Sequence, residues 1–479
     1  MFCVQTGKTG GDLMKSRFKI LWLLCCIGAL ILLAAGCNDT LRQFIIPVPP
    51  PTGDPGTLAH AVTVSTNVKD ANGSDMHIDV SGDTSAGVVP VGVNPVFLGK
   101  TTNRAFVINA GDPNAVAPAP VIPPTVSVYV ALLPLATTVN TVTLPATAIN
   151  PVAGATNSAG DIYIANQGSN DVSQISSSVL AVLNTIPVGT HPVAIAGNSA
   201  NNKIFVVNNG SNDVTEISTI DNTVVKTIPV GASPVWAVMS TDGLFVFVVN
   251  QGDGTVSVID ASLDIVLPCD VGPSCPSGNA IKVGLTASPS PNFAFYEPTL
   301  KRVYVSNTGE GTITVIKANG IDLGSVPQVL PAKLKDIPVS GNPTSVTALP
   351  DGTKAYAALG NCLAGVNHFT LLTQLASCNG NLVSVIDAVA LAEKKTIPVG
   401  IGAVSIDASN DGSRVFVANA QDNVTDTTGT HIAGTISDIS TNTDTEVMRK
   451  LAPQQDPHCV ASTTVFCPVQ TPFMVRTFP

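Results

Sequence analysis

The side chains able to do acid–base, metal or nucleophilic chemistry are few and scattered. Six histidines, His60, His77, His191, His368, His431 and His458, each stand isolated, whereas a copper centre needs several converging on one point. No CxxCH haem attachment, GxSxG elbow, phosphate-binding Lys loop or repeated Trp for a quinone cofactor occurs. The run DASNDG at 407–412 opens like a calcium loop, but Ala418 occupies the place of the closing Glu, so the run reads as a turn. Trp236 reads as core, with a contact at a channel mouth as the alternative. The expectation is no catalytic residue, no metal and no cofactor, with scattered Asp residues leaving a divalent-cation hydrolase as the rival class.

Cysteine usage points to export. Of ten cysteines, Cys3, Cys25 and Cys26 fall in a leader and Cys37 ends it. The other six form local pairs: Cys269 with Cys275, Cys362 with Cys378, and Cys459 with Cys467. Fifteen connectivities are formally possible for six thiols, and an oxidising compartment would join neighbours. A zinc site wants short CxxC-type spacing, which is absent after the leader. The leader places Lys15, Arg17 and Lys19 before an apolar run from Ile20 to Ala35, the pattern of a secretory signal. Its end, LAAGC, resembles the bacterial lipoprotein box, which implies lipidation of Cys37, with Leu33 one place earlier than usual and Ala34 in its stead. The expected organisation is a signal peptide over 1–36 with Met14 as the natural start, a Pro-rich tether over 37–58, and a folded body over 59–479.

Composition narrows the body. Charged residues make up 12% and aromatics 5%, and 40 Gly and 36 Pro punctuate a chain rich in Val, Thr, Ser and Asn, which favours strands and turns over helices. The net charge of −10 becomes more negative once the basic leader is removed, which argues against a nucleic-acid partner. Mean hydropathy is +0.34, yet the leader holds the one long, strongly apolar run, so the rest is expected to be soluble.

Self-comparison decides the architecture. Residues 161–189, DIYIANQGSNDVSQISSSVLAVLNTIPVG, align with 203–231, KIFVVNNGSNDVTEISTIDNTVVKTIPVG, at a period close to 42. A Pro follows most IPVG-like tags, marking units at Pro95, Pro151, Pro192, Pro234, Pro291, Pro343, Ala403 and Pro472. Each unit reads as four strands: an apolar segment after the marker, an aromatic-aliphatic strand, an NxG turn into an alternating strand, and a last strand ending in IPVG. A Pro in a strand is tolerated at a sheet edge, so IPV marks the outermost strand. Four strands per unit of this length is the signature of a β-propeller.

These repeats resemble the YVTN family of β-propeller repeats found in extracytoplasmic and surface proteins. IANQGSNDV and VVNNGSNDV stand where the family has YVTN followed by GSNTV, and weaker copies extend the resemblance over nearly all of 60–479. The family Asn corresponds to Asn109, Asn166, Asn208, Asn250, Asn307 and Asn419, and Asn67 in the first unit, while Leu359 breaks the pattern. We read this Asn as structural, since Asn tolerates left-handed dihedrals and caps turns. The expected fold is therefore all-β, a single propeller of four-stranded blades, eight rather than seven. AVTVSTN, MHIDVSGD and GVVPVG at 61–92 lack an inner strand and PFMVRTF at 472–478 is a lone one, so they should close the ring together.

Turn lengths suggest where a partner sits. The turn between the second and third strands is short near 167–171, 209–213, 251–255 and 308–312, long at 110–126, 360–381 and 420–434, and moderately long at 67–75. The long ones fall on consecutive blades, which builds up half of one rim. His368, Phe369, Asp422, Asp426 and His431 are the contacts expected there. The functional expectation is a lipid-anchored extracytoplasmic binding or scaffold module, at the periplasm or cell surface, for a protein or cell-envelope polymer. A lactonase-like hydrolase with a cation in the channel is the alternative.

Overall fold

Short alternating runs of Val, Ile, Phe and Tyr, broken by Gly- and Asn-containing turns, form strands throughout the repeat. The computed structural model describes residues 60–67, 72–79, 84–101, 104–112, 121–131, 138–198, 200–269, 273–275, 279–318, 330–367, 370–425, 431–451 and 470–478. Cys37 and the expected tether lie outside them, as do Cys459, Cys467, His368, Phe369 and Asp426.

The chain forms eight antiparallel sheets arranged as the blades of a propeller. Blade 1 combines His60–Asn67, Asn72–Asp79 and Thr84–Val93 with the C-terminal strand Gln470–Phe478, which is its inner strand. Blades 2 to 8 follow in order over 95–143, 151–187, 192–229, 234–282, 291–338, 345–398 and 403–451. Inner strands of successive blades touch all the way round, and Gln470–Phe478 meets both Ala403–Ala408 of blade 8 and Pro95–Lys100 of blade 2. The ring is thus closed by both ends of the described chain. Pro187, Pro229, Pro338 and Pro398 all lie on outermost strands, where the missing N–H faces no ladder partner.

The second strand of a blade has sheets against both faces, so it is apolar without alternation. Phe245–Asn250 is buried at every position. Blades 2 to 8 each seat a large aromatic there that is under 2% exposed, Phe106, Tyr163, Phe205, Phe247, Tyr304, Tyr356 and Phe416, and blade 5 adds Phe245. Neighbouring blades are also bolted by polar groups that the sequence reading missed. The first residue of a second strand reaches into the next blade and donates to a turn carbonyl: Arg104 to Ser177 O (3.4 Å), Lys203 to Ala261 O (2.9 Å), Lys354 to Thr441 O (2.7 Å), and Arg302 to Ala388 O. Tyr163 does the same between blades 3 and 4, its hydroxyl donating to Asn222 Oδ1 at 2.7 Å. Burial pushes its pKa up to about 12, so it stays a donor at neutral pH.

The repeated Asn is structural, for a reason other than turn geometry. Asn109, Asn166, Asn208, Asn250, Asn307 and Asn419 are fully buried strand residues facing the marker position across the ladder, as Asn208 faces Pro192. Positive φ belongs instead to the residue before the marker: Asn94, Asn150, His191, Ser233, Ser290 and Gly402. Each Asn amide donates to the third strand, as Asn208 does to Asp213 Oδ1 (2.7 Å) and Thr215 Oγ1 (2.9 Å) and Asn250 to Thr255 and Ser257 (both 3.0 Å). The same hydroxyl accepts the N–H of the tag glycine, as Gly189 N to Thr215 and Gly231 N to Ser257. In blade 1 the register corrects the expected Asn67: Ser65 pairs with Pro472 and holds the Asn place.

This network explains why the tag ends in Gly. A Cβ on Gly231 would lie 2.5 Å from Asn250 Nδ2, and one on Gly189 2.6 Å from Asn208 Nδ2. Gly231→Ala should therefore destabilise the protein by about 1–3 kcal/mol, the usual cost of overpacking. In an Asn250→Ala background the same change should cost much less, so a double-mutant cycle by chemical denaturation checks the coupling. Additive effects would disprove the contact as the cause.

Candidate functional site

Second-to-third turns and marker residues share one end of the ring, because strands alternate in direction. At this end the rim is uneven, in a pattern that corrects the expectation for blade 1. Its strands His60–Asn67 and Asn72–Asp79 are separated by four residues, as many as in blades 3 to 6, so the long connections are in blades 2, 7 and 8. Blade 8 carries a projecting hairpin: Arg414–Thr425 and His431–Ser440 pair beyond Asn419, through Asn423 with Ala433 and Thr425 with His431. Asp422 and His431 are on that hairpin.

The blade 7 turn does something else. Cys362 and Cys378 form a disulfide, as do Cys269 and Cys275 in an insertion that splits the outer strand of blade 5. Both pairs match the expected neighbours. Between Cys362 and Cys378 the chain turns inward, burying Val366, Asn367 and Leu371. Asn367 Nδ2 donates to Gln251 Oε1 of blade 5 at 3.0 Å, and Gly365 N to Ser290 Oγ beside blade 6 at 3.1 Å. This loop, expected to project as recognition surface, instead roofs the channel. No short motif signals that; Val366 and Leu371 are buried in a cluster with Val404, Ala418, Phe473 and Met474 of blades 8 and 1, which exists only in the closed ring.

Beneath the roof the inner strands of blades 6, 7, 8 and 1 enclose a cavity of about 20 Å3, room for about one water molecule. Its lining mixes apolar side chains, Phe293, Val404, Phe473 and Met474, with polar ones, Thr344, Ser345, Ser405 and Arg476. Trp236 sits beside it, half-buried, its ring 4.8 Å from Phe293 and its indole N–H donating to Ala294 O at 3.1 Å. It packs against four apolar clusters, as its core reading requires. Toward the other end of the channel, Asp407 accepts the Thr477 N–H at 2.9 Å and hydroxyl at 3.3 Å, and Lys100 Nζ donates to Thr477 O at 2.7 Å. Burial draws the Lys100 and Arg476 pKa values down, and Asp407 opposes this at both. Among the described residues no group of three or more His, Cys, Asp or Glu comes together as a metal site.

No protein-family model matches the chain, and no curated protein matches it in sequence. Solved structures do. The chain is similar to the dihydro-heme d1 dehydrogenase NirN, solved in complex with DHE, at 12% identity and a TM-score of 0.59, over 90% of this chain and 77% of that one. The likeness is one of fold. It is likewise similar to a putative 6-phosphogluconolactonase of Bacteroides fragilis NCTC 9343, at 12% identity and a TM-score of 0.50 over 90% of this chain and 100% of that one. A putative 6-phosphogluconolactonase of Bacteroides uniformis ATCC 8492 gives 14% and 0.50, over 72% and 97%. These propellers support the architecture and carry no activity to this chain.

Proposed function

We propose that the chain is a lipid-anchored extracytoplasmic β-propeller of YVTN-type repeats, serving as a binding or scaffold module for a protein or cell-envelope polymer. The observation that carries this reading is the blade 8 hairpin, a ladder continued beyond Asn419 at the end of the ring that carries the marker residues. A rigid scaffold presenting an extended loop is a common recognition arrangement. Two local disulfides support an oxidising compartment. No helix among the described residues is long and apolar enough to cross a membrane. The rival, a lactonase-like hydrolase with a channel cation, draws on the likeness to putative 6-phosphogluconolactonases.

The test uses the full chain and two variants. Cys37→Ser should abolish lipid labelling and release the protein from membranes; a variant that stays uncleaved and membrane-bound would overturn the lipoprotein reading. Replacing 422–431 by a two-residue Asn-Gly turn should remove retention of purified envelope polymer or of a defined envelope protein, with melting unchanged. Equal retention, or lactone hydrolysis together with stoichiometric divalent metal, would favour the rival.

A further inference from the structure

We propose that the end of the ring opposite the marker residues rests on a lipid bilayer, with aliphatic turn tips dipping into its interface. Inner strands run away from the markers, so first-to-second and third-to-fourth turns share that far end. Among the described residues five third-to-fourth turns, 177–180, 219–222, 261–264, 388–391 and 441–444, have one four-residue form with a left-handed fourth residue. Turns of this kind favour polar residues and glycine. Four of the five instead hold out an aliphatic side chain: Val179, Ile220, Leu263 and Val389, at 63%, 79%, 53% and 66% exposure. Leu244 joins them from the first-to-second turn of blade 5. Backbone geometry does not call for these side chains, because the left-handed place falls on Leu180, Asn222, Asp264 and Leu391.

Where the chain enters the ring identifies what covers this end. His60 pairs with Phe478, and the strand Gln470–Phe478 runs from the marker Pro472 to the far end, so the segment that follows Cys37 joins the ring there. This rests on the lipid-anchored reading of Cys37. A tether makes the second contact intramolecular, so shallow insertion of a few side chains is enough to hold the face down. Apices on separate turns suit a fluid interface that closes round each one, whereas a protein partner needs continuous complementary area. Charge selects no anionic surface, since exposed Asp221 and Asp242 share this end with exposed Lys100 and Lys301. The blade 8 hairpin, at the marker end, then faces away from the bilayer.

Fluorescence of the membrane-extracted full chain, reconstituted in vesicles of brominated phosphatidylcholine, tests the proposal. Ile220→Trp should be blue-shifted and quenched. Leu285→Trp, exposed between the tag and marker of blade 6, should add no quenching to that of the unmodified protein, whose Trp236 packs in the core. High salt should leave the quenching in place, since apolar insertion is not screened. Adding Val179→Ser, Leu263→Ser and Val389→Ser to Ile220→Trp should remove most of it. Val389→Trp repeats the measurement from blade 7 if Ile220→Trp fails to fold. Lipid labelling reads the anchor separately: a chain held by its uncleaved leader overturns the lipoprotein reading, while quenching of Ile220→Trp in that chain still supports this face. No quenching in a vesicle-bound chain, equal quenching of Ile220→Trp and Leu285→Trp, or a concentration-dependent dimer that buries Ile220 in place of lipid would overturn the proposal.

Discussion

Truncation after Val469 should open the ring and collapse the protein's stability. The lost strand, Gln470–Phe478, is the inner strand of blade 1 and pairs with His60–Asn67 over its whole length. It buries Phe473, Met474 and Val475, each at 2% exposure or less. Those three side chains alone are worth roughly 5–8 kcal/mol of burial, comparable to the entire stability of many domains. Further ties go with them: Leu98 N to Met474 Sδ at 3.2 Å, Lys100 to Thr477 O, and Thr477 to Asp407. The remaining strands of blade 1 would present an unpaired edge, a template for aggregation. The truncated chain should precipitate or melt far below the full one, with residues 60–93 cut early by protease. Unchanged melting and protection would mean that the ring does not need this strand.

Asp75→Val should make the protein more stable, and the gain should grow with pH. At the register of Asp75, opposite Val89, the other seven blades carry Val126, Val172, Val214, Val256, Ile313, Val383 and Ile436. Asp75 is fully buried, neither carboxylate oxygen has a hydrogen-bond partner, and burial raises its pKa well above the ordinary carboxylate range. His77, on the same strand face, has its ring edge-on to Tyr129 at 5.5 Å. In the unfolded chain Asp75 ionises near pH 3.9, about the value of a free Asp. Above that pH the unfolded state gives up a proton that the folded state keeps. Stability therefore falls as pH rises, from near 4 toward the raised folded pKa. Val at this position removes that slope and the unsatisfied polar group, a gain of about 1–3 kcal/mol at neutral pH. Denaturant titrations at pH 4 and pH 7 read both effects. A destabilised variant, or a gain independent of pH, would show that Asp75 has a partner in solution.

Repeat grammar reached the sequence's surface wherever a local rule forces a residue type. The tag IPVG marks outer strands because Pro cannot donate to a ladder, and NxG turns join the second and third strands because few residues close so tight a turn. Even the split closure blade was legible, since AVTVSTN, MHIDVSGD and PFMVRTF are each strand-like and jointly make one unit. The same local logic misplaced Asn67, because a register is set by pairing across the sheet, and Ser65 is what Pro472 meets. It also lengthened the blade 1 turn and read the 360–381 loop as outward-facing.

From the sequence alone come the all-β class, the eight-blade count, the site of closure and the two disulfide pairs at Cys269–Cys275 and Cys362–Cys378, because period, turn chemistry and thiol spacing are all local. The tertiary structure alone decided which polar groups share a space. Arg476 and Asp407 are 69 positions apart and Lys100 lies at the other end of the chain, yet ring closure brings them to one channel. The inward fold of Val366, Asn367 and Leu371 likewise depends on Gln251 and Ser290, which only a closed ring sets within reach. Such contacts arise between inner strands of different blades, and no spacing along the chain encodes them.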